Sequence, residues 1–200
     1  AYSFFSNKNM TTGEGGMVSA RDVSVRDRIR AMRTHGMTTT TLDRHKGHAY
    51  SYDVPMLGFN YRMDEMRAAM GLVQLERLRG WNQRRVELSG LYRQLLESKC
   101  PSVQVPFTVD QDTVGHLMPV LLPEQTDRQQ VMDLLRESGV QSSIHYPPVH
   151  RFTYYQERFP GVSLPVTEEF SERELSVPLH PSMQDEDVER VAGLLADALR

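Results

Sequence analysis

The sequence predicts an α/β chain that closes on a small α/β sandwich. Three observations carry that prediction. After Pro101 an apolar run over 117–122 reads as a strand, the stretch from Thr126 to Ser138 reads as a helix, and residues 140–146 read as a second strand. The chain then ends on Val188, Val191, Leu194, Leu195 and Leu199, which recur at helical spacing. Ahead of all this, residues 63–98 hold a long helical pattern that sets the C-terminal part off from what precedes it.

The elements follow in order. Residues 17–20 form a short apolar run and read as a strand. Asp22 or Ser24 caps a helix that carries Val25, Ile29 and Met32 on one face, and Gly36 ends it. Residues 37–52 are rich in threonine, histidine and small side chains without periodicity, which predicts a long loop. Its His45 and His48 have no cysteine or carboxylate partner at ligand spacing, so they read as exposed loop histidines and not as metal ligands. Over 63–98, Met66, Met70, Val73, Leu88, Leu91 and Leu95 share a face, with a bend expected near Arg79-Gly80. Such a stripe is core packing or a helix interface. Thr126 caps the next helix, Gly139 stops it, and Gln184 or Asp185 begins the last one. A domain boundary is expected between residues 55 and 105.

Two hundred residues are enough for one medium domain or two small ones, and 39% hydrophobic with 24% charged residues is the composition of a soluble globular chain. A formal charge of −3 offers no basic field for nucleic acid or anionic lipid. The single cysteine, Cys100, cannot form an internal disulfide, which fits a reducing compartment and a structural role near a helix end. No apolar run approaches the roughly 20 residues that cross a bilayer, and the expected location is the cytoplasm.

Lys8 is the residue with most chemistry at stake. It lies between a short polar loop and the glycine turn of Gly13, Gly15 and Gly16. A lysine so placed is either a solvated loop side chain, the commoner role for a residue that is rarely buried, or an amine that condenses with an aldehyde cofactor such as pyridoxal 5'-phosphate. Ser3 and the glycines could supply the hydroxyl and backbone N–H groups that hold a phosphate.

The run Ser3-x-x-x-x-Lys8-Asn9-x-Thr11-Thr12-Gly13-Glu14-Gly15-Gly16-Met17-Val18 resembles the cofactor-lysine segment of the DegT/StrS family. These are pyridoxal-phosphate-dependent sugar aminotransferases of the aspartate aminotransferase superfamily, fold type I. Further segments follow in the family's order: Thr34-His35-Gly36, then Gly58-Phe59-Asn60-Tyr61-Arg62-Met63-Asp64-Glu65-Met66-Arg67-Ala68-Ala69, and Ser143-Ile144-His145-Tyr146-Pro147-Pro148-Val149-His150. The resemblance spans essentially the whole chain. It implies that residues 1–62 are the end of the large cofactor-binding domain with its long loop, that 63–100 are connecting helices, and that 101–200 form a small C-terminal α/β domain. In the family the lysine lies near mid-chain, so the chain is expected to be the C-terminal part of a longer enzyme and to be inactive alone.

The resemblance also implies roles. Lys8 is the cofactor tether and the acid/base that moves a proton between the donor α-carbon and the cofactor. Ser3 binds the cofactor phosphate, although its chemistry fits a local turn cap equally well. Asn60 reaches the phosphate of a neighbouring subunit, which makes a homodimer with shared active sites; a turn before the 63–98 helix is its local alternative. Tyr61, Arg62, His145 and Tyr146 face the substrate, a nucleotide-linked keto sugar, and His150, Arg151, Tyr154 and Tyr155 extend that wall. The implied reaction transfers an amino group, usually from glutamate, to the sugar ketone in polysaccharide or antibiotic-sugar biosynthesis. Residues 44–53 depart from the simplest family pattern, in which a histidine often stands near the position of Asp53. Dehydrating relatives usually carry a histidine in place of Lys8. A contrasting reading is a non-catalytic dimerisation or regulatory module built on the 63–98 helices.

Overall fold

The structure, a computed structural model, describes residues 1–39, 47, 51–107 and 113–200. His45, His48 and Arg44 lie outside the described residues. The chain is α/β and divides into two compact units, Ala1–Leu78 and Arg79–Arg200.

In the first unit β1 (Tyr2–Ser3) pairs antiparallel with β2 (Gly16–Met17), Tyr2 opposite Met17 and Ser3 opposite Gly16. The strand expected over 17–20 is therefore shorter and begins one residue earlier, because β1 offers only two residues to pair with. Gly16 is required at that crossing: a Cβ there would stand 2.9 Å from the Tyr2 carbonyl oxygen. Helix α1 (Val23–Arg33) starts at Asp22, whose Oδ1 accepts from the N–H groups of Ser24 at 2.7 Å and Val25 at 3.2 Å. The Ser24 hydroxyl, which donates to the same Oδ1 at 2.6 Å, foremost, and then the Val25 and Ser24 N–H groups hold the Asp22 carboxyl below its ordinary pKa. Beyond α1, Gly36 takes φ +70° and donates its N–H to the Ala31 carbonyl at 2.8 Å, the helix-closing geometry expected of it. Residues 58–61 return alongside the end of α1. Phe59 N–H donates to Met32 O, His35 N–H to Phe59 O, and Tyr61 N–H to Arg33 O.

Helix α2 (Glu65–Lys99) runs unbroken through Arg79-Gly80, where a bend was expected. A single glycine costs a helix interior only about 1 kcal/mol, too little to interrupt one this long. Residues 65–78 belong to the first unit and 79–99 to the second.

The second unit has the apolar core. Strands β3 (Met118–Leu121) and β4 (Glu174–Val177) pair antiparallel, with Met118 opposite Val177 and Leu121 opposite Glu174. Single bridges, Gln104 to Leu121 and Ser143 to Ser176, widen the sheet on both sides. The strand expected over 140–146 is reduced to that bridge at Ser143. Two residues on, His145 N–H donates to the Glu174 carboxylate and not to a backbone carbonyl, so the ladder does not continue. Helix α3 (Arg128–Glu137) is capped by Asp127, which accepts from Gln130 N–H at 3.2 Å; the expected cap, Thr126, sits in the preceding turn with its N–H on Pro123 O. Gly139 follows with φ +75°.

A short 3-10 turn (Val149–Arg151), α4 (Thr153–Arg158) and α5 (Pro165–Arg173) lead into β4, and α6 (Asp185–Ala198) closes the chain with Gln184 as its N-cap. Leu88, Tyr92 and Leu96 of α2, Val120 of β3, Leu175 and Val177 of β4, Val131 and Leu135 of α3, and Val188, Val191 and Leu195 of α6 are buried together. Tyr92 donates its hydroxyl to Pro178 O at 2.9 Å, and burial pushes its pKa well up. Cys100 is a buried free thiol just past the end of α2.

Candidate functional site

Lys8 stands on the loop between β1 and β2, half-buried, with its N–H on Phe5 O at 3.0 Å. The loop is fixed from within. Phe4 N–H donates to Gly15 O, Thr12 N–H to Phe4 O, Thr11 Oγ1 to Phe4 O and Thr12 Oγ1 to Glu14 O at 2.8 Å. Gly13 N–H donates to Thr11 Oγ1 at 2.9 Å. Gly15 lies so close to Thr12 that a Cβ would come within 2.5 Å of its hydroxyl, and Gly71 of α2 leaves room for the Thr12 methyl. This lattice of bonds orders the loop without an apolar core beneath it. Ser3 is exposed, and its Oγ accepts from Phe5 N–H at 3.3 Å. A hydroxyl that accepts still has its own proton to donate.

Asn60, Tyr61 and Arg62 line a cavity of about 770 Å³ in the first unit. Arg62 Nε donates to Asn60 Oδ1 at 3.2 Å, which turns the two side chains into one donor surface, and Tyr61 stacks on Phe59 with ring centroids 4.9 Å apart. Tyr61 remains 71% exposed. Arg26, Arg30 and Arg33 of α1 and Arg67 of α2 line the same cavity, against one carboxylate, Glu14. Arg26 pairs with Asp27 at 2.9 Å and Arg67 with Asp64 at 3.4 Å, whereas Arg30, Arg33 and Arg62 have no carboxylate partner among the described residues. The cavity thus gathers five guanidinium groups, three of them without a carboxylate partner among the described residues, a charge distribution that suits an anionic ligand. Lys8 and Ser3 do not line it.

His145 and Tyr146 belong to the second unit. Their rings meet edge-to-face, centroids 4.8 Å apart, and His145 lines a cavity of about 530 Å³ together with Gln141, Ser142, Ser143 and Ser176. His145 Nδ1 lies 2.9 Å from Ser176 Oγ, and Ser176 Oγ donates to Glu174 Oε1 at 2.6 Å.

His150 and Arg151 are taken up by a local network: both approach Glu168, at 2.8 and 2.6 Å, and Leu164 N–H donates to the same carboxylate at 2.9 Å. The Leu164 N–H foremost, then His150 and Arg151, hold the Glu168 pKa down to about 2. Among the described residues no group of three or more His, Cys, Asp or Glu is placed to hold a metal, and no helix is long and apolar enough to cross a membrane.

Residues 1–196 match the DegT/DnrJ/EryC1/StrS aminotransferase family. The chain belongs to that family. It is 33% identical to the spore coat polysaccharide biosynthesis protein SpsC of Bacillus subtilis (strain 168), over all of this chain and 53% of the relative. Among solved structures it is similar to Helicobacter pylori PseC, an aminotransferase involved in the biosynthesis of pseudoaminic acid, with a TM-score of 0.88 and 26% identity over 98% of this chain and 52% of that one. It is also similar to DesV of S. venezuelae, solved with a ketimine intermediate, with a TM-score of 0.84 and 32% identity over 99% of this chain and 51% of that one. The chain thus spans about half the length of the relatives it matches.

The Lys8 loop fits the phosphate-bearing aldehyde that the DegT/StrS resemblance implies. The Lys8 ammonium has no hydrogen bond or ion pair among the described residues, the Ser3 hydroxyl proton is free to donate, and the backbone between them is rigidly bonded. An uncommitted amine five residues from an uncommitted hydroxyl is the donor set that such a group needs.

Two sets of residues at these sites escaped the sequence reading. Arg26, Arg30 and Arg33 fall at i, i+4 and i+7, a spacing that places three cations on one helix face, so that signal was present. Glu174 and Ser176 alternate on a fully buried strand, and only the pairing of β4 with β3 shows that they are interior.

Proposed function

We propose that this chain carries the lysine-bearing part of a pyridoxal-phosphate-dependent aminotransferase that moves an amino group, from glutamate, to the keto group of a nucleotide-linked sugar. The observation that supports this most is the Lys8 loop: a half-buried lysine with an uncommitted ammonium, on a loop held by backbone and threonine hydrogen bonds. Pyridoxal phosphate, when bound, supplies the electron sink that lets the donor's α-proton leave. Lys8 Nζ would hold the cofactor between turnovers and, once freed, would carry the proton from the donor α-carbon to the cofactor in the donor half-reaction and from the cofactor to the product carbon in the acceptor half-reaction. General acid/base transfer of this kind contributes about 10²–10⁴-fold. Ser3 donates its hydroxyl proton to the phosphate.

Asn60 and the arginine cavity bind an anion, and Tyr61, Arg62, His145 and Tyr146 bind the sugar nucleotide. Lys8 does not line the cavity of Asn60, an arrangement that supports a site completed by a second copy of the chain in a homodimer. The first unit has no buried apolar side chain among its described residues, and Leu57, Met66, Leu72 and Leu75 stand open to solvent. That surface also favours the contrasting reading, an interaction module without catalysis.

A labelling experiment separates the two. The sequence has three lysines, Lys8, Lys46 and Lys99. Pyridoxal phosphate is added, the adduct is reduced with borohydride, and peptides are mapped by mass. Labelling of Lys8 alone, absent in Lys8→Ala, is expected. Labelling spread evenly over the three lysines, or sparing Lys8, refutes the aminotransferase reading.

A further inference from the structure

We infer that Glu174 and Ser176 are positioning residues that hold the His145 imidazole as its Nδ1–H tautomer and present Nε2 as a hydrogen-bond acceptor to the substrate. The substrate half of this inference rests on the proposed function; the tautomer does not.

One buried chain of hydrogen bonds fixes where each proton sits. Glu174 and Ser176 alternate on β4 and so lie on one face of it. Glu174 is 1% exposed and Ser176 is buried beside it. Burial of a carboxylate is costly unless its oxygens are matched by donors, and here both are. Oε2 accepts the His145 N–H at 2.8 Å, and Oε1 accepts the Ser176 hydroxyl at 2.6 Å. A hydroxyl has one proton, and Ser176 has given it to Glu174. Facing His145 Nδ1 at 2.9 Å, Ser176 Oγ can only accept, so Nδ1 must carry the imidazole proton.

In the neutral ring Nε2 is then a bare lone pair, without a partner among the described residues. His145 is held from three directions: its N–H by Glu174, its Nδ1 by Ser176, and its chain by the bridge between Ser143 and Ser176, with bonds of 3.0 and 2.8 Å. A fixed acceptor in a cavity lined by Gln141, Ser142 and Ser143 suits a ligand rich in hydroxyl donors, which is the chemistry of a sugar ring.

Long-range proton–nitrogen correlation spectra, recorded on the full chain at a pH where His145 is neutral, read the tautomer directly. In the unsubstituted protein Nδ1 is expected to be protonated and Nε2 bare. Glu174→Gln keeps the shape but replaces one acceptor with an NH₂ donor. If the amide oxygen takes the His145 N–H, its NH₂ donates to Ser176 Oγ, which turns its own proton toward Nδ1; the opposite orientation sets two N–H donors against each other. E174Q is therefore expected to exchange the protonated and bare nitrogens. An Nε2–H ring in the unsubstituted protein, or an unchanged Nδ1–H ring in folded E174Q, overturns the inference. In the complete enzyme E174Q is expected to raise KM for the keto sugar about tenfold, the loss of one hydrogen bond; an unchanged KM overturns the substrate-facing half. The tautomer is read without cofactor or substrate. A wrong tautomer thus counts against this inference alone, and an unlabelled Lys8 counts against the aminotransferase reading alone.

Discussion

The crossing of Gly36 and Gly58 gives the most direct test of how the first unit positions its site. A Cβ at Gly58 would lie 2.0 Å from Gly36 N and 2.3 Å from His35 C, and a Cβ at Gly36 would lie 1.9 Å from Met56 O. The colliding atoms are backbone, so no side chain can swing away, and Gly58→Ala must push the 56–62 segment off the end of α1 by roughly 1 Å or more. Three backbone bonds span that contact: Phe59 N–H to Met32 O at 2.6 Å, His35 N–H to Phe59 O at 2.9 Å and Tyr61 N–H to Arg33 O at 3.0 Å. Overpacking of this kind costs about 1–3 kcal/mol, and the upper part of the range applies where nothing flexible can yield. Local opening made easier by about 2–3 kcal/mol speeds amide exchange by roughly 30–150-fold. Hydrogen exchange resolved at His35, Phe59 and Tyr61 is the assay. Gly90→Ala is the control, since a Cβ at Gly90 meets nothing within 4 Å and a helical alanine is favourable by about 1 kcal/mol. If folded G58A protein exchanges those three amides at the unsubstituted rate, the idea that a close backbone crossing presents Asn60 and Arg62 is wrong.

Leu88→Ala, which empties a fully buried position of α2, is expected to lower the unfolding free energy by about 2–5 kcal/mol in a urea titration followed by circular dichroism; a loss well under 1 kcal/mol would place Leu88 outside the core. Glu168 is held as an anion in the fold, with a pKa near 2 against 4.5 ordinarily, so the stability it contributes is complete above pH 4.5 and is lost as pH falls toward 2. Acid titrations of the unsubstituted protein and Glu168→Gln should therefore converge as pH drops through that window, and a constant difference between them would contradict the assignment. Arg33→Gln removes an unpaired guanidinium from the anion cavity and is expected to weaken binding of inorganic diphosphate roughly tenfold by calorimetry, with a shallower salt dependence; equal binding would show that the cavity does not hold the anion.

The elements legible in the sequence are those whose signal is local and long. Helix α2, α3 and α6 announce themselves by apolar period, and the cap at Asp22 and the stops at Gly36 and Gly139 by residue chemistry alone. Strand β4 is not legible, because Glu-Leu-Ser-Val mixes a carboxylate into a fully buried run, and what makes the carboxylate tolerable is a set of donors contributed in part by His145, far along the chain. Helices α4 and α5 are too short for period to register. At the sites, the Lys8 segment reads as a glycine turn with a lysine, but the bonds from Thr11 and Thr12 that order it depend on the β1–β2 pairing. The α1 arginines have readable spacing, yet spacing alone describes a solvated face; their common cavity exists only once residues 59–62 fold back beside them.

The two units order their chemistry by different means, and this predicts where each is vulnerable. All nineteen buried apolar side chains among the described residues fall between Leu88 and Ala196. His145 therefore sits on a strand-supported frame whose geometry depends on core volume, so loss of a methyl group near Val120 or Leu175 is expected to reach it through the sheet. Lys8, Asn60 and Arg62 have no such foundation. They are held by backbone hydrogen bonds and by glycines that let chains touch, at Gly15, Gly16, Gly36 and Gly58. Truncating apolar residues in 1–78 removes little that is buried, whereas a single added Cβ displaces the Lys8 loop directly at Gly15 or Gly16 and the 56–62 segment directly at Gly36 or Gly58. A site so built is specific to backbone conformation and nearly indifferent to side-chain volume, the opposite of the His145 frame.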